Sequence, residues 1–246
     1  MRELELAESK SMANRILTIA SYRNHALPEF KSQAEDIVDL SQALTTLKNG
    51  GSYFNIRGGG TTLRFLLGRL SRLEGEFTIE VSARLSERPH EELFNFLSAL
   101  GLSIHQQGNK YHLHSLGWSM DRDLATVNCS QSSQFASAIL LNAFALPKPF
   151  SFRVQGLRSS LSYWEMTKNI CRSANLRFTE QDGRVDVQAQ CLVDSVPDCE
   201  PDLSSAFSLA AIAAIGNNPV CLRNLPKNSM QADVIFIKLL QQMGVE

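Results

Sequence analysis

The chain has almost no excess charge of either sign, no long hydrophobic run and no paired cysteine motif. Each lack closes off a class of function. Lys+Arg total 24 against Asp+Glu 25, a formal net charge of -1, so no global basic field exists to hold a nucleic-acid backbone. No nucleic-acid partner is expected, and any anion must be bound locally. No stretch approaches the ~18 uncharged apolar residues that a membrane span needs, and the acidic start Met1-Arg2-Glu3-Leu4-Glu5 does not fit a secretory signal. No membrane association is expected, and the expected compartment is the cytoplasm. The five cysteines (Cys129, Cys171, Cys191, Cys199, Cys221) are scattered, with no Cys-x-x-Cys pair, as suits reduced thiols in a cytosolic protein. His112 and His114 flank Leu113 on one face of an expected strand, but further ligands at zinc spacing do not stand out. No metal is expected.

What is present is ordinary globular material, with 43% hydrophobic and 20% charged residues and no low-complexity tract. At 246 residues the chain is long enough for one large domain or for one complete domain and part of a second. Helix-period segments at Met12–Tyr22, Ala34–Leu47, Thr61–Leu73, His90–Leu100, Ser132–Phe144 and Ser162–Ala174 alternate with strand-like runs at Phe77–Val81, Ser103–His105, Tyr111–His114, Ala125–Asn128, Phe150–Val154, Leu176–Thr179 and Val185–Ala189. Three similar blocks emerge, each a βαβαββ-like unit in an α/β (α+β) fold. After Val196 the prolines Pro197 and Pro201 break the pattern; a helix over Ser204–Ile215, a strand at Val220–Arg223 and a helix over Ala232–Met243 follow. Residues 1–195 are expected to form a first domain and 196–246 the start of a second, since two helices and one strand cannot close a core alone.

Five junctions carry the chemistry: Ser9-Lys10-Ser11, Gly58-Gly59-Gly60-Thr61-Thr62, Ser130-Gln131-Ser132-Ser133-Gln134, Ser159-Ser160-Leu161-Ser162-Tyr163 and Asp202-Leu203-Ser204-Ser205. Each runs small or hydroxyl residues straight into an apolar helical segment. The first N–H groups of a helix have no intrahelical partner and carry the positive end of the macrodipole, so an anion is favoured there. Lys10 and Arg15 could grip an anion or be ordinary surface cations. Gly58–Gly60 fits either a close ligand approach or a flexible loop, but neither a Walker A loop nor a dinucleotide fingerprint. Capping accounts for one of Ser132 and Ser133, and leaves Gln134 unassigned. Arg88 before Pro89 could meet a carboxylate ligand or pair with Glu91 or Glu92.

The order of the motifs goes further than any one of them. Ser9-Lys10-Ser11-Met12-Ala13-Asn14-Arg15, Gly60-Thr61-Thr62-Leu63-Arg64-Phe65-Leu66, Glu87-Arg88-Pro89, Ser132-Ser133-Gln134-Phe135 and Asn228-Ser229-Met230-Gln231-Ala232-Asp233 together resemble the enolpyruvyl transferases. Within them the closer likeness is to the 5-enolpyruvylshikimate-3-phosphate synthase family; the branch acting on UDP-N-acetylglucosamine is a poorer match. The resemblance implies an inside-out α/β barrel of three βαβαββ units, helices inside and sheets outside, followed by a second similar domain across a cleft. It implies shikimate 3-phosphate and phosphoenolpyruvate as substrates and no cofactor. It assigns Lys10, Ser11, Arg15, Ser132, Ser133, Gln134, Ser160 and Tyr163 to shikimate 3-phosphate. Lys10, Gly60, Arg88 and Gln134 go to phosphoenolpyruvate, with Lys10 as the catalytic group moving a proton. Arg64 is expected to support the glycine loop from the helix behind it.

Three departures accompany the resemblance. Ala7-Glu8 replaces the family's Pro-Gly or Pro-Ala, and a carboxylate beside an anion site is expected to weaken it. Gly58 stands where the family commonly has asparagine. The family's catalytic Asp and Glu, and the two Arg and one Lys of the phosphoenolpyruvate pocket, have no counterpart, so turnover is expected to need a complementary C-terminal half. A non-catalytic, sugar-phosphate-binding remnant is the alternative, and an uncovered apolar face favours self-association. RNA 3′-phosphate cyclases share a related fold, but the charge balance and the lack of a suitable histidine argue against that chemistry.

Overall fold

The computed structural model describes residues 2–119, 125–158, 160–189, 195–216 and 219–245. Ser159 and Cys191, both named above, lie outside the described residues. The chain opens with β1 (Arg2–Glu5), α1 (Lys10–Ala20) and α2 (Glu35–Lys48). Next come β2 (Tyr53–Ile56), α3 (Gly60–Leu70), β3 (Glu74–Val81), the single turn α4 (Ala83–Ser86), α5 (Glu91–Leu100), β4 (Leu102–Gln107) and β5 (Lys110–Leu116). These strands form one sheet in the order β2-β3-β5-β4, with β2 parallel to β3 and the other pairs antiparallel.

The same path is then walked again. β6 (Ala125–Asn128), α6 (Gln134–Leu141), β7 (Phe150–Gln155), α7 (Leu161–Ser173), β8 (Phe178–Gln181) and β9 (Arg184–Val187) give a sheet in the order β6-β7-β9-β8. Position for position, this is the order of the first sheet, so residues 53–116 and 125–187 are two copies of one βαβαββ unit. The β8–β9 hairpin turns at Asp182-Gly183, where both residues have positive φ (49° and 74°), the requirement of a two-residue turn that follows strand twist.

Alternation decides which sheet face is inward. In β3, Phe77, Ile79 and Val81 are buried while Glu76, Thr78 and Glu80 point outward. The helices α1, α3, α6 and α7 pack on one another between the sheets. Helices therefore lie inside and sheets outside, as the resemblance implies. Burial of α1 is nearly complete, with nine of its eleven residues enclosed. Gly68 lets α3 approach α6: a Cβ there would sit 2.4 Å from Asn142 Nδ2 and 3.0 Å from the Ala138 carbonyl oxygen.

The last elements are α8 (Leu203–Ile215), β10 (Val220–Arg223), a 3-10 turn at Ala232–Ile235 and α9 (Phe236–Gln242). β1 pairs in parallel with β10, Arg2 opposite Val220, instead of joining either four-stranded sheet. Leu6 accordingly joins Leu203, Ala206 and Phe236 in a small apolar cluster separate from the main core. Beyond β1, a short ladder links the chain's start to its final segment. Ser9 N–H donates to the Glu200 carbonyl (2.8 Å) and Asp202 N–H to the Ala7 carbonyl (2.8 Å).

Candidate functional site

The N-terminal ends of α1, α3, α6 and α7 meet at one end of the bundle with the start of α2 beside them, and side chains stitch them together. Thr62, in the first turn of α3, reaches Asn14 Oδ1 on α1 (3.4 Å) and the Asp36 carbonyl on α2 (3.1 Å). Gln134, the first residue of α6, donates from Nε2 to Thr61 Oγ1 on α3 (2.9 Å). Arg15 on α1 donates to the carbonyl of Tyr163 (3.2 Å) and to Thr167 Oγ1 (2.8 Å), both on α7. Four of the five junctions identified in the sequence are thus neighbours in space. The fifth, at Asp202, caps α8 instead: its side chain accepts from Ser205 N–H (3.0 Å).

Lys10 opens α1 and is half exposed, with Nζ 3.4 Å from Asp36 Oδ2. Glu8 does not sit against it. The Glu8 carboxylate accepts from the Lys31 and Ser32 amides (3.0 and 2.9 Å). Burial alone would raise its pKa, but those amides outweigh burial and lower it. The expected weakening of the anion site by Glu8 is therefore corrected: backbone amides hold that charge on the 31–32 loop, and Asp36 is the carboxylate facing Lys10.

Arg15 is 2% exposed, its third contact being NH1 to the Ser11 carbonyl (2.6 Å). Its guanidinium lies near the Phe65 and Tyr163 rings. Burial pulls its pKa down to about 10, which leaves it charged at neutral pH. Ser11 lies a turn before it, and Tyr163 is at the exposed edge of α7. Ser160, the N-cap of α7, adopts a left-handed conformation (φ 59°) with its hydroxyl free of any capping bond. Ser133 at the N-cap of α6 likewise makes no side-chain cap, whereas the Ser132 hydroxyl accepts from Gln134 N–H (3.2 Å).

Around Gly60 three segments converge. A Cβ on Gly60 would lie 3.0 Å from Arg88 NH1, 3.7 Å from Arg64 NH1 and 3.9 Å from Gln134 Oε1. Arg64, expected to support the glycine loop, makes its bonds elsewhere: it donates to Gln134 Oε1 and to the Pro89 carbonyl (3.0 Å) and lies over the Phe135 ring (4.9 Å). Burial, reinforced by the neighbouring Arg88, lowers its pKa to about 10. Arg88 is exposed. It pairs with neither nearby acid, because Glu91 accepts from the His90 amide (3.0 Å) and Glu92 from Asn128 (3.1 Å). Among the described residues, Arg15, Arg64 and Arg88 have no carboxylate partner.

Three site groups escape the sequence reading. Asp36 reads there as an ordinary first-turn acid of α2, and its position 26 residues before Thr62 carries no signal. Thr167 lies 152 residues from Arg15. His90 is enclosed against Phe94 and Tyr111, with Nε2 on the Leu85 carbonyl (3.1 Å). Burial, with a smaller push from Arg64, drops its pKa to about 4 against the opposing bond to Leu85. The Asn228–Asp233 motif is elsewhere: Ser229 and the Met230 amide bond Glu200, and Gln231 Oε1 accepts from Leu203 N–H (3.2 Å).

One face of the bundle thus gathers helix N-termini and three guanidinium groups that have no carboxylate partner among the described residues. Comparison with known proteins identifies whose face it is. The family model for EPSP synthase (3-phosphoshikimate 1-carboxyvinyltransferase) matches residues 24–246. The chain belongs to the EPSP synthase family. A 3-phosphoshikimate 1-carboxyvinyltransferase of Colwellia psychrerythraea is 30% identical over 275 residues, covering 99% of this chain and 64% of that protein. The one from Dehalococcoides mccartyi is 32% identical over 204 residues, covering 82% and 48%. An EPSP synthase structure from Acinetobacter baumannii superposes with a TM-score of 0.73 at 21% identity, covering 98% of this chain and 60% of that one. The chain spans between about half and two thirds of the length of these curated relatives.

Proposed function

We propose that this chain supplies the substrate-recognition half of an enolpyruvyl transfer site, acting on shikimate 3-phosphate and phosphoenolpyruvate. The carrying observation is the meeting of four helix N-termini with three arginines that have no carboxylate partner among the described residues. A buried guanidinium without a counter-ion is costly; an incoming phosphate or carboxylate relieves that cost. Arg15 with the hydroxyls of Ser11, Ser132, Ser133, Ser160 and Tyr163 and the amide of Gln134 forms the polar set for a phosphorylated polyol. Lys10, Gly60, Arg88 and Gln134 form the cradle for phosphoenolpyruvate, where Gly60 allows the backbone to approach the ligand.

In the proposed reaction the 5-hydroxyl of shikimate 3-phosphate adds to C2 of phosphoenolpyruvate while C3 takes a proton. The tetrahedral adduct then loses inorganic phosphate and a proton from C3, leaving the enol ether. Lys10, whose Nζ stands 3.4 Å from Asp36 Oδ2, is the proposed proton carrier on this side. The rest of the acid, base and charge clamp comes from a complementary C-terminal segment, with residues 1–195 as the first domain and 196–246 opening the second. The cytoplasm is the proposed compartment.

Calorimetry separates the parts of this reading. Shikimate 3-phosphate is expected to bind the chain alone, and Arg15→Gln is expected to remove most of the heat. No heat with the unaltered chain would overturn the binding assignment. Phosphate release on adding the missing C-terminal segment of a relative supports transfer; binding without turnover in such mixtures favours the sugar-phosphate-binding alternative.

A further inference from the structure

Three of the chain's five histidines come together on the outer face of the first sheet, opposite the helices. His105 on β4 stands directly across from His112 on β5, and His112 is in turn across from Thr78 on β3. One step along, Ser103, His114 and Glu76 make the next cross-strand row. Side chains two apart on a strand share a face, so all six point the same way. Together with neighbouring side chains they line a shallow groove of about 490 Å³. His112 and His114 are close in the chain, whereas strand register alone brings His105 beside them.

We propose that this groove binds a single divalent transition ion of the zinc class, held by His105 and His112, with His114 and Glu76 beside them. Directly opposed residues on antiparallel strands have Cβ atoms ~5 Å apart, and two imidazole nitrogens of a tetrahedral zinc site stand roughly 3.3 Å apart at bond lengths near 2.0–2.1 Å. Side-chain rotation covers that difference without moving the backbone. His112 Nδ1 faces the Thr78 hydroxyl at 3.3 Å, which orients the ring and leaves Nε2 for the metal. His105, His114 and Glu76 are exposed, so ordering them displaces water and breaks no packing. Among the described residues no three ligating side chains are already gathered around one point; the imidazole pair is the core of the site, and Glu76, His114 or water completes it. Imidazole suits zinc, copper and nickel and excludes magnesium or calcium. Bound there, the ion clasps β4 to β5 and stabilises the folded form by mass action.

Titration of the full chain with zinc by calorimetry is expected to show one equivalent bound, with an accompanying rise in Tm. His105→Gln/His112→Gln is expected to lower the affinity by at least about tenfold, and His25→Gln to leave it unchanged. His105→Gln alone, at an exposed position, gives the same direction should the double variant fold poorly. Cobalt(II) in place of zinc reports the ligands: imidazole and oxygen donors give weak visible bands only. Thiolate charge-transfer absorption would move the metal to the cysteines and overturn the assignment. So would undiminished binding in the His105/His112 variant, or no uptake of zinc by the unaltered chain.

Discussion

Helices α1 and α8 are similar in length and both rich in apolar residues, yet they live in different surroundings. In α1, nine of eleven residues are buried, including Asn14, Arg15 and Thr18, and the polar ones are hydrogen-bonded within the bundle. α8 carries no charge in Leu203–Ile215, yet only Leu203 and Ala206 are buried; Ile212 is 67% and Ile215 88% exposed. A helix that is apolar all round is normally enclosed on every side. The contrast teaches that the first helix is finished by the chain described, whereas the second has the surface of a core element without its cover. α9 repeats the point with Ile237 and Leu239 exposed.

The comparison breaks if removing bulk costs the same in both places. Phe135→Ala, in the main core against Arg64, is expected to destabilise by about 3–5 kcal/mol, whereas Ile215→Ser on α8 is expected to change stability by no more than about 0.5 kcal/mol. Denaturant unfolding measures both. Light scattering is expected to show that Ile212→Ser/Ile215→Ser reduces self-association.

A second test uses a buried histidine. The pKa of His90 is lowered to about 4 in the folded chain, chiefly by burial, against ~6.5 unfolded. The unfolded state therefore binds more protons between those values. The stabilisation is fully present above about pH 6.5 and is lost as pH falls toward 4, by roughly 3 kcal/mol at most. Stability curves for His90→Phe are expected to be flatter across that window. Glu8, whose pKa is lowered from 4.5, contributes its own loss only below that value, so the two are separable.

The smallest effect is a contest at Gly68. Alanine gains about 1 kcal/mol in helix propensity, but its Cβ would meet Asn142 Nδ2 and the Ala138 carbonyl where α3 crosses α6. Overpacking there costs ~1–3 kcal/mol, so net destabilisation of about 1 kcal/mol is expected by thermal unfolding. A net gain would mean the helices part more easily than their burial implies.

Much of this architecture is legible in the amino-acid pattern alone. Ala125–Asn128 and Val220–Arg223 are strands as their composition suggests, and α3 and α7 begin within a residue of their expected starts. β1 escapes such a reading because Arg-Glu-Leu-Glu has one apolar residue and owes its conformation to β10, more than 200 positions away. β2 escapes it because four residues beside a glycine run give too short an alternation. The expected helix to Phe144 stops at Leu141. There the Asn142 side chain turns back to the Phe65 and Ala138 carbonyls, and Arg72 takes the carbonyls of Asn142 and Phe144. The expected helix from Ala232 starts as a tighter 3-10 turn. At the site, Lys10, Gly60 and Arg88 announce themselves by local motif. Asp36 and Thr167 do not, since what matters about them is which distant residue they touch.

The ladder between residues 7–9 and 200–202 ties the exposed helix α8 to the start of α1. The peptide that leads into Lys10 and the peptide that caps α8 are hydrogen-bonded to each other through Ser9, Glu200, Asp202 and Ala7. A load placed on α8 is therefore passed to the backbone just before Lys10 by peptide groups, with no side chain needed to relay it.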